Sequence, residues 1–202
     1  DMARLAAYAM QQEDFARIAA TKSITIDGRT LVNHNKLLSR YDGCIGVKTG
    51  YTKAAGRTLV SCAERGGMRL IAVTLHDGND WADHAALYDA AFAQYHMECA
   101  AESGKTAAVL PVLNGTRRAV DVVYGEDFSY PIRSDETISC RMEMADCAFA
   151  PIAARQQVGE CIFLLNGQEI GRVPLLCAAG AEALPVRTGS ALMQKLYHLF
   201  IS

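Results

Sequence analysis

A lysine, a threonine and a glycine follow one another in the stretch Gly46–Thr52, and together they suit one kind of chemistry. Lys48 supplies an ammonium and Thr49 a hydroxyl, and both groups can hold a carboxylate through hydrogen bonds. Gly50 has no side chain, so a ligand or another backbone can approach the chain closely at this point. The stretch therefore predicts a carboxylate-binding site at the edge of a cleft.

Short strands and turns surround this stretch and should position it. Asp42-Gly43 precedes it as a turn, and strand-like runs follow at Arg57–Ala63 and Met68–Leu75. The second run contains the apolar residues Leu70–Val73, a pattern typical of a central strand covered on both faces. We expect three antiparallel strands joined by short turns.

Helical patterns lie on either side of these strands. Apolar residues in Asp1–Thr21 are spaced for two short helices, and Trp81–Met97 predicts one longer helix that packs onto the sheet. Between them, Ile24–Val32 alternates around Asp27-Gly28 and predicts a hairpin with a tight turn.

From about Thr106 onward, apolar and polar residues alternate in short segments separated by turn signals such as Asn166-Gly167. This pattern is typical of a small all-β sandwich or barrel. The predicted fold class is α+β, with a mixed domain at residues 1–102 and a β-rich domain at 103–188. The amphipathic segment at 189–202 predicts a C-terminal helix, either packed or forming the start of a membrane anchor.

Composition excludes several classes of protein. The 202 residues are 50% hydrophobic with a formal net charge of -2, which predicts a globular protein and disfavours a nucleic-acid partner. No run of about 18 apolar residues is present that would span a membrane. The seven cysteines contain no Cys-x-x-Cys pair, which argues against structural zinc. Taken alone, their odd number favours a reducing environment.

Asp42–Thr58 and its flanking elements resemble the second half of a serine-type D-alanyl-D-alanine carboxypeptidase, a low-molecular-mass penicillin-binding protein. The resemblance implies part of a penicillin-binding/β-lactamase-like transpeptidase domain, followed by a β-rich domain. It also implies that Lys48 and Thr49 face the terminal carboxylate of a D-Ala-D-Ala stem peptide or of a penicillin. Gly50 would admit the substrate backbone, and Thr52 would lie at the next inward position. A surface turn is the alternative interpretation of the tripeptide.

The chain departs from that family in its nucleophile. Ser-x-x-Lys and Ser-x-Asn are absent from the sequence, and in the family both lie upstream of the region that Asp1 begins. We therefore expect no catalytic residue in this chain and no acylation by the chain alone. Either it is the C-terminal part of a longer enzyme or it is a natural non-catalytic relative. We favour the first, since no leader precedes a helix at Asp1, and expect the N-terminal fragment as a separate chain that completes the sheet.

The resulting hypothesis is a carboxypeptidase that trims peptidoglycan stem peptides and binds β-lactams, without cofactor or metal, at the cell envelope. Contact with a membrane surface is expected only through the C-terminus. The alternative is a non-catalytic cell-wall binding protein that uses the Lys-Thr-Gly groove and the β domain for docking. The β-rich domain disfavours a serine β-lactamase. Because an extracytoplasmic location conflicts with the cysteine count, we expect mostly free thiols.

Four other residues have alternative interpretations. Asp80 and His84 have the i, i+4 spacing of a metal site, but a solvated helix face is the favoured interpretation. His84 is a further candidate to lean toward the cleft. His34 fits a loop, and Cys44 fits a small apolar filler better than a reactive thiol.

Overall fold

The computed structural model describes residues 1–185, so the predicted helix at 189–202 lies outside the described residues. The chain divides into two compact units. The first consists of Asp1–Glu98 and Pro131–Glu136, and the second of Cys99–Tyr130 and the described residues from Thr137 onward. Each unit has its own hydrophobic core. Within residues 1–185, no helix combines the length and the hydropathy that crossing a bilayer requires.

The first unit mixes helices with antiparallel strands. Its elements are α1 (Met2–Ala9), α2 (Glu13–Ala20), β1 (Ser23–Ile26), β2 (Arg29–Val32), α3 (Leu37–Arg40), β3 (Cys44–Thr52), β4 (Gly56–Arg65), β5 (Met68–Leu75) and α4 (Asp80–Gln94). The two short helices and the β1–β2 hairpin confirm the sequence prediction. Asp27 and Gly28 both have positive φ, at 49° and 74°, as a tight Asp-Gly turn requires.

Strands β3, β4 and β5 form an antiparallel sheet in that order. The three predicted strands and their short turns are therefore confirmed. The predicted place of Met68–Leu75 at the centre of the sheet is wrong, because β4 is the central strand of the described sheet and β5 is at its edge.

The apolar run in β5 has a different explanation from a central position. Leu70 packs with the buried cluster that contains Leu59 and Tyr88, whereas Ile71 packs with the cluster of Met10 and Cys62. Successive strand residues point to opposite faces, so helices cover β5 on both faces. Periodicity reports the covering of faces and carries no information on which edge is paired.

The helix predicted at Trp81–Met97 ends earlier than expected. Helix α4 stops at Gln94, and strand β6 (Tyr95–Ala101) follows without a loop. Tyr95 is already extended, with φ of -115° and ψ of 146°. Strand β6 pairs with β9 (Phe128–Arg133) in a two-stranded sheet, and this pairing satisfies backbone groups that further helix would otherwise satisfy.

The second unit is built from strands, which confirms the β-rich region predicted after the helix. Its main strands are β7 (Thr106–Leu113), β8 (Ala119–Tyr124), β10 (Ile138–Met144), β11 (Ala148–Phe149), β12 (Gln157–Leu165) and β13 (Gln168–Cys177). They form one sheet in the order β10-β12-β13-β8-β7-β11. Asn166-Gly167 forms the β12–β13 turn with both φ values positive, as the sequence predicted.

Candidate substrate-binding site

Lys48, Thr49 and Gly50 lie together on β3, an edge strand of the described sheet. In the antiparallel register they stand opposite Val60, Leu59 and Thr58 of β4. The regular pairing with a central strand fixes the backbone of the tripeptide. The other edge of β3 carries no strand within residues 1–185, so its backbone groups can meet a ligand.

The structure explains why position 50 requires a glycine, which the sequence alone does not reveal. A Cβ atom at this position would lie 2.5 Å from Oγ1 of Thr58, which leaves no room for a side chain. Lys48 is exposed, and its ammonium donates a hydrogen bond to the backbone carbonyl of Thr49. The ammonium can exchange this local bond for a carboxylate ligand.

Two depressions meet at Lys48 and Thr49. The larger, which we call the main depression, has a volume of about 730 Å³ and is also lined by Gly50. The second has a volume of about 420 Å³ and is lined by apolar side chains that include Phe15 and Ile18. The main depression falls in the size range of small-molecule sites.

Thr52 differs in position from the other three predicted residues. It is the last residue of β3, and its hydroxyl accepts a hydrogen bond of 3.0 Å from the backbone N–H of Ala55. It does not line either of the two depressions that Lys48 and Thr49 share. The structure thus brings Lys48, Thr49 and Gly50 together and leaves Thr52 at the end of β3, where its hydroxyl bonds the adjoining turn.

An ion pair that sequence reasoning missed lines the main depression. Nε of Arg57 donates to Asp80 at 3.1 Å, and a second guanidinium nitrogen donates to the other carboxylate oxygen. The guanidinium also lies 5.4 Å from the ring centroid of Trp81. The side chain of Asp80 is 3% exposed, so the arginine compensates a buried carboxylate at the start of α4. His34 and Lys36 complete the basic lining.

His84 lies in a buried polar network between α4 and the β3–β4–β5 sheet. Its Nδ1 is 2.6 Å from Oγ of Ser61, and that Oγ is 2.6 Å from the hydroxyl of Tyr88. Its Nε2 is 3.1 Å from Oγ1 of Thr74. The network joins α4 to β4 and β5. The hypothesis that His84 leans toward the cleft is therefore wrong, because the side chain is 0% exposed and bonded to the sheet.

Burial determines the protonation of this network. It lowers the pKa of His84, although the charges of Asp80, Asp77 and Asp83 oppose the shift. Burial also raises the pKa of Tyr88. Neutral groups therefore hold α4 against the sheet, and the buried Ser61–His84 pair has no access to a substrate.

The other candidate residues from the sequence are Asp80, His84, Cys44 and His34. Asp80 accepts hydrogen bonds from Arg57, and His84 is hydrogen-bonded to Ser61. Residues 1–185 contain no group of three His, Cys, Asp or Glu side chains placed to hold a metal. Cys44 is partly buried, and burial raises its pKa, which disfavours the reactive thiolate. His34 precedes α3 in a loop and lines both depressions, a role its sequence context did not reveal.

Two family models match the chain. The model for D-alanyl-D-alanine carboxypeptidase, Peptidase_S11, matches residues 1–79, and that for the C-terminal domain of penicillin-binding protein 5 matches residues 95–183. The Lys-Thr-Gly strand lies in the region that matches the carboxypeptidase model, and the β-rich unit lies in the region that matches the second model. Together the two matches support an S11 D-alanyl-D-alanine carboxypeptidase.

Individual relatives agree with these two matches. A D-alanyl-D-alanine carboxypeptidase of Bacillus subtilis is 28% identical over 186 residues, covering 87% of this chain and 48% of the relative. One from Mycobacterium tuberculosis is 40% identical over 95 residues, or 42% of this chain and 33% of the relative. The structure of penicillin-binding protein 5 from Haemophilus influenzae matches with a TM-score of 0.67 and 25% identity over 90% of this chain and 55% of that one. The chain thus spans 48% and 33% of the lengths of the two curated relatives.

Proposed function

We propose that this chain is the substrate-holding part of a serine carboxypeptidase that removes the terminal D-alanine from peptidoglycan stem peptides. The observation that carries the proposal is the shared lining of one depression by Lys48, Thr49 and Gly50, on an edge strand of the region that matches the Peptidase_S11 model. An ammonium, a hydroxyl and an open backbone edge together match the free carboxylate end of a peptide.

Each residue of the wall has a positioning role. Lys48 and Thr49 hold the terminal carboxylate of a D-Ala-D-Ala peptide, or the carboxylate of a penicillin, by charge-assisted hydrogen bonds. Gly50 admits the peptide backbone to the edge of β3. Thr52 does not line the depression and its hydroxyl bonds the adjoining turn, so we assign it no contact with the substrate. None of them forms a covalent bond to the substrate, so their contribution is orientation.

The covalent step requires a serine from outside this chain, since no Ser-x-x-Lys is present in it. In the proposed reaction the serine oxygen attacks the penultimate carbonyl, the peptide C–N bond breaks, and the D-alanine amine leaves with a proton. Water then hydrolyses the acyl-enzyme. A penicillin acylates the same serine by opening its lactam ring.

The first unit has an apolar surface suited to the segment that carries this serine. Ile18 and Val32, which are 65% and 66% exposed, lie beside the second depression. At the opposite edge of the sheet, Leu75 is a separate exposed apolar residue on β5, whose outer edge is unpaired within residues 1–185. Covering such surface contributes about 25 cal/mol per Å². We propose that an N-terminal carboxypeptidase segment, on a separate chain or upstream, covers this surface and supplies the serine.

The direct test is release of D-alanine from a stem peptide. The chain is mixed with, or joined to, the N-terminal segment that carries Ser-x-x-Lys and Ser-x-Asn. We expect release by the combination and none by either part. Lys48→Ala should lower kcat/KM at least about 100-fold, because a charge-assisted contact is lost together with orientation. An unchanged rate in this variant would remove Lys48 from the site.

The second candidate is a non-catalytic cell-wall binding protein. The absence of both serine motifs from the sequence favours it. It predicts that the chain binds D-Ala-D-Ala peptides through Lys48 while no N-terminal segment confers D-alanine release. The release assay therefore separates the two candidates.

We place the protein outside the cytoplasm at the cell envelope, since peptidoglycan is the substrate of the proposed reaction. The relatives named as D-alanyl-D-alanine carboxypeptidases support this assignment. Membrane association would depend on residues 189–202, which lie outside the described residues.

A further inference from the structure

A third, smaller depression lies next to the proposed site and shares a residue with it. Its volume is about 200 Å³, and we call it the basic depression. Lys36 lines both this depression and the main depression of Lys48 and Thr49. The basic depression is also lined by Lys22, Arg40 and Asn35.

The charge of the basic depression is uncompensated. Lys22, Lys36 and Arg40 are exposed, none forms an ion pair within residues 1–185, and no acidic side chain is part of the lining. Arg57 of the main depression differs, because Asp80 compensates its charge. Three cations around a small concave surface favour an anionic ligand.

A buried hydrogen-bond donor accompanies these charges. Asn35 is 2% exposed, and its Oδ1 accepts the backbone N–H of Leu37 at 3.1 Å. This bond fixes the orientation of the amide, so Nδ2 is the donor. Nδ2 is buried and has no hydrogen-bond partner among the described residues. Buried polar groups are normally paired, so a ligand or an ordered water is expected beside Asn35.

We propose that the basic depression binds a second carboxylate of the same stem peptide, through Lys36 with Lys22 and Arg40. This inference rests on the proposed function, in which Lys48 and Thr49 hold the terminal carboxylate. An extended peptide advances about 3.3–3.6 Å per residue, so side chains near its end can reach the neighbouring depression. The preferred substrate is a stem peptide whose side chain before D-Ala-D-Ala ends in a free carboxylate.

The test compares two peptides that end in D-Ala-D-Ala and differ in one group. The side chain before the dipeptide ends in a carboxylate in one and in the isosteric carboxamide in the other. Their affinities for the full chain are measured by NMR titration at low and high salt. We expect roughly three-fold tighter binding of the carboxylate peptide, the gain of one exposed ion pair, and a smaller difference at high salt.

Substitutions show which residues cause the preference for the carboxylate peptide. Lys36→Gln should remove the preference for the carboxylate peptide, because it weakens that peptide more than the carboxamide peptide. Lys48→Gln should weaken both peptides equally. Lys105→Gln, which makes the same charge change in the second unit, is the control and should alter neither affinity. Inorganic phosphate serves as an anion that is not attached to a peptide, and it should compete with the carboxylate peptide more than with the carboxamide peptide.

The outcomes separate this inference from the proposed function. Equal affinities of the two peptides, or a preference that survives Lys36→Gln, would overturn the second subsite and leave the Lys48 assignment intact. Affinities that do not respond to Lys48→Gln would instead contradict the proposed function. Binding of phosphate through Lys36 without any preference between the peptides would reduce the basic depression to a free-anion site and overturn the inference. Absence of binding by either peptide would contradict the proposed function and, with it, this inference.

Discussion

Arg57 and Asp80 form an ion pair in which one side chain is partly exposed and the other is buried. The side chain of Arg57 is 39% exposed and that of Asp80 is 3% exposed. Removing the arginine leaves a buried carboxylate without compensation, whereas removing the carboxylate leaves a cation that can still reach water. The pair fixes the start of α4 against the strand that carries the main depression.

We therefore predict that Arg57→Ala lowers the free energy of unfolding by about 2–3 kcal/mol, somewhat below the cost of breaking a fully buried pair. The double variant Arg57→Ala/Asp80→Ala should recover part of the loss, because the uncompensated carboxylate is gone. Urea unfolding measures both. The control is Arg17→Ala, which removes the exposed partner of Asp14 and should change stability little. Additive losses in the double variant would contradict the interpretation.

The candidate site could be predicted only in part from single residues. Lys48, Thr49 and Gly50 are adjacent in sequence, so their chemistry is visible directly. Arg57 and Asp80 are 23 positions apart, and no local pattern indicates that they meet. Lys36 likewise lies in a loop whose relation to β3 depends on the fold.

At the scale of elements, a buried polar network joins α4 to the sheet. Ser61, His84 and Tyr88 connect at 2.6 Å contacts, and His84 is neutral because burial lowers its pKa. The unfolded state therefore binds a proton more readily than the folded state at mildly acidic pH. The stability contributed by neutral His84 is fully present above the unfolded pKa of about 6.5 and is lost as pH falls below it.

We predict that the free energy of unfolding decreases between pH 7.5 and pH 5.5, and that His84→Gln removes much of this decrease. Urea unfolding at the two pH values measures the difference. His96→Gln changes an exposed histidine and is the matched control, which should keep the wild-type pH dependence. A pH dependence that survives in His84→Gln would show that another group is responsible.

Local sequence patterns predicted which segments are helices and which are strands. They did not predict where each element ends or which strands pair. Helices α1 and α2, the Asp27-Gly28 hairpin and the strands after Lys48 were all predicted. The apolar residues of β5 indicated two covered faces, but the choice of edge depends on which strand pairs with it. The end of α4 depends in the same way on the pairing of β6 with β9, which lies about 30 residues away in sequence.

At the scale of the whole molecule, each of the two units buries a hydrophobic core of its own. The high hydrophobic content of the chain supplies both cores. Half of the residues are hydrophobic, and the buried clusters include Leu59 in one unit and Phe163 in the other. The change from mixed to alternating patterns near residue 100 was visible in the sequence. The cysteines contribute to both cores as small apolar residues, with Cys62 in the first and Cys161 and Cys177 in the second.

We predict that all seven cysteines are free thiols with very different reactivity. Burial raises the pKa of Cys62 to about 12 and is the main cause that raises that of Cys161 to about 11, so neither forms thiolate at neutral pH. The exposed residues are Cys99, Cys140 and Cys147. These three should react with iodoacetamide in the folded protein, and the buried ones only after unfolding. Peptide mass spectrometry measures the order, and detection of disulfide-linked peptides would contradict the prediction.

Labelling with a fluorescent penicillin tests the central claim most directly, namely that this chain provides the carboxylate-holding wall of a site whose serine lies elsewhere. The chain alone, the N-terminal segment alone and their combination are incubated with the penicillin and separated by denaturing electrophoresis. We predict that only the combination is labelled, that the label is on the N-terminal segment, and that Lys48→Ala abolishes most of it. Labelling of this chain by itself, or full labelling with Lys48→Ala, would contradict the account.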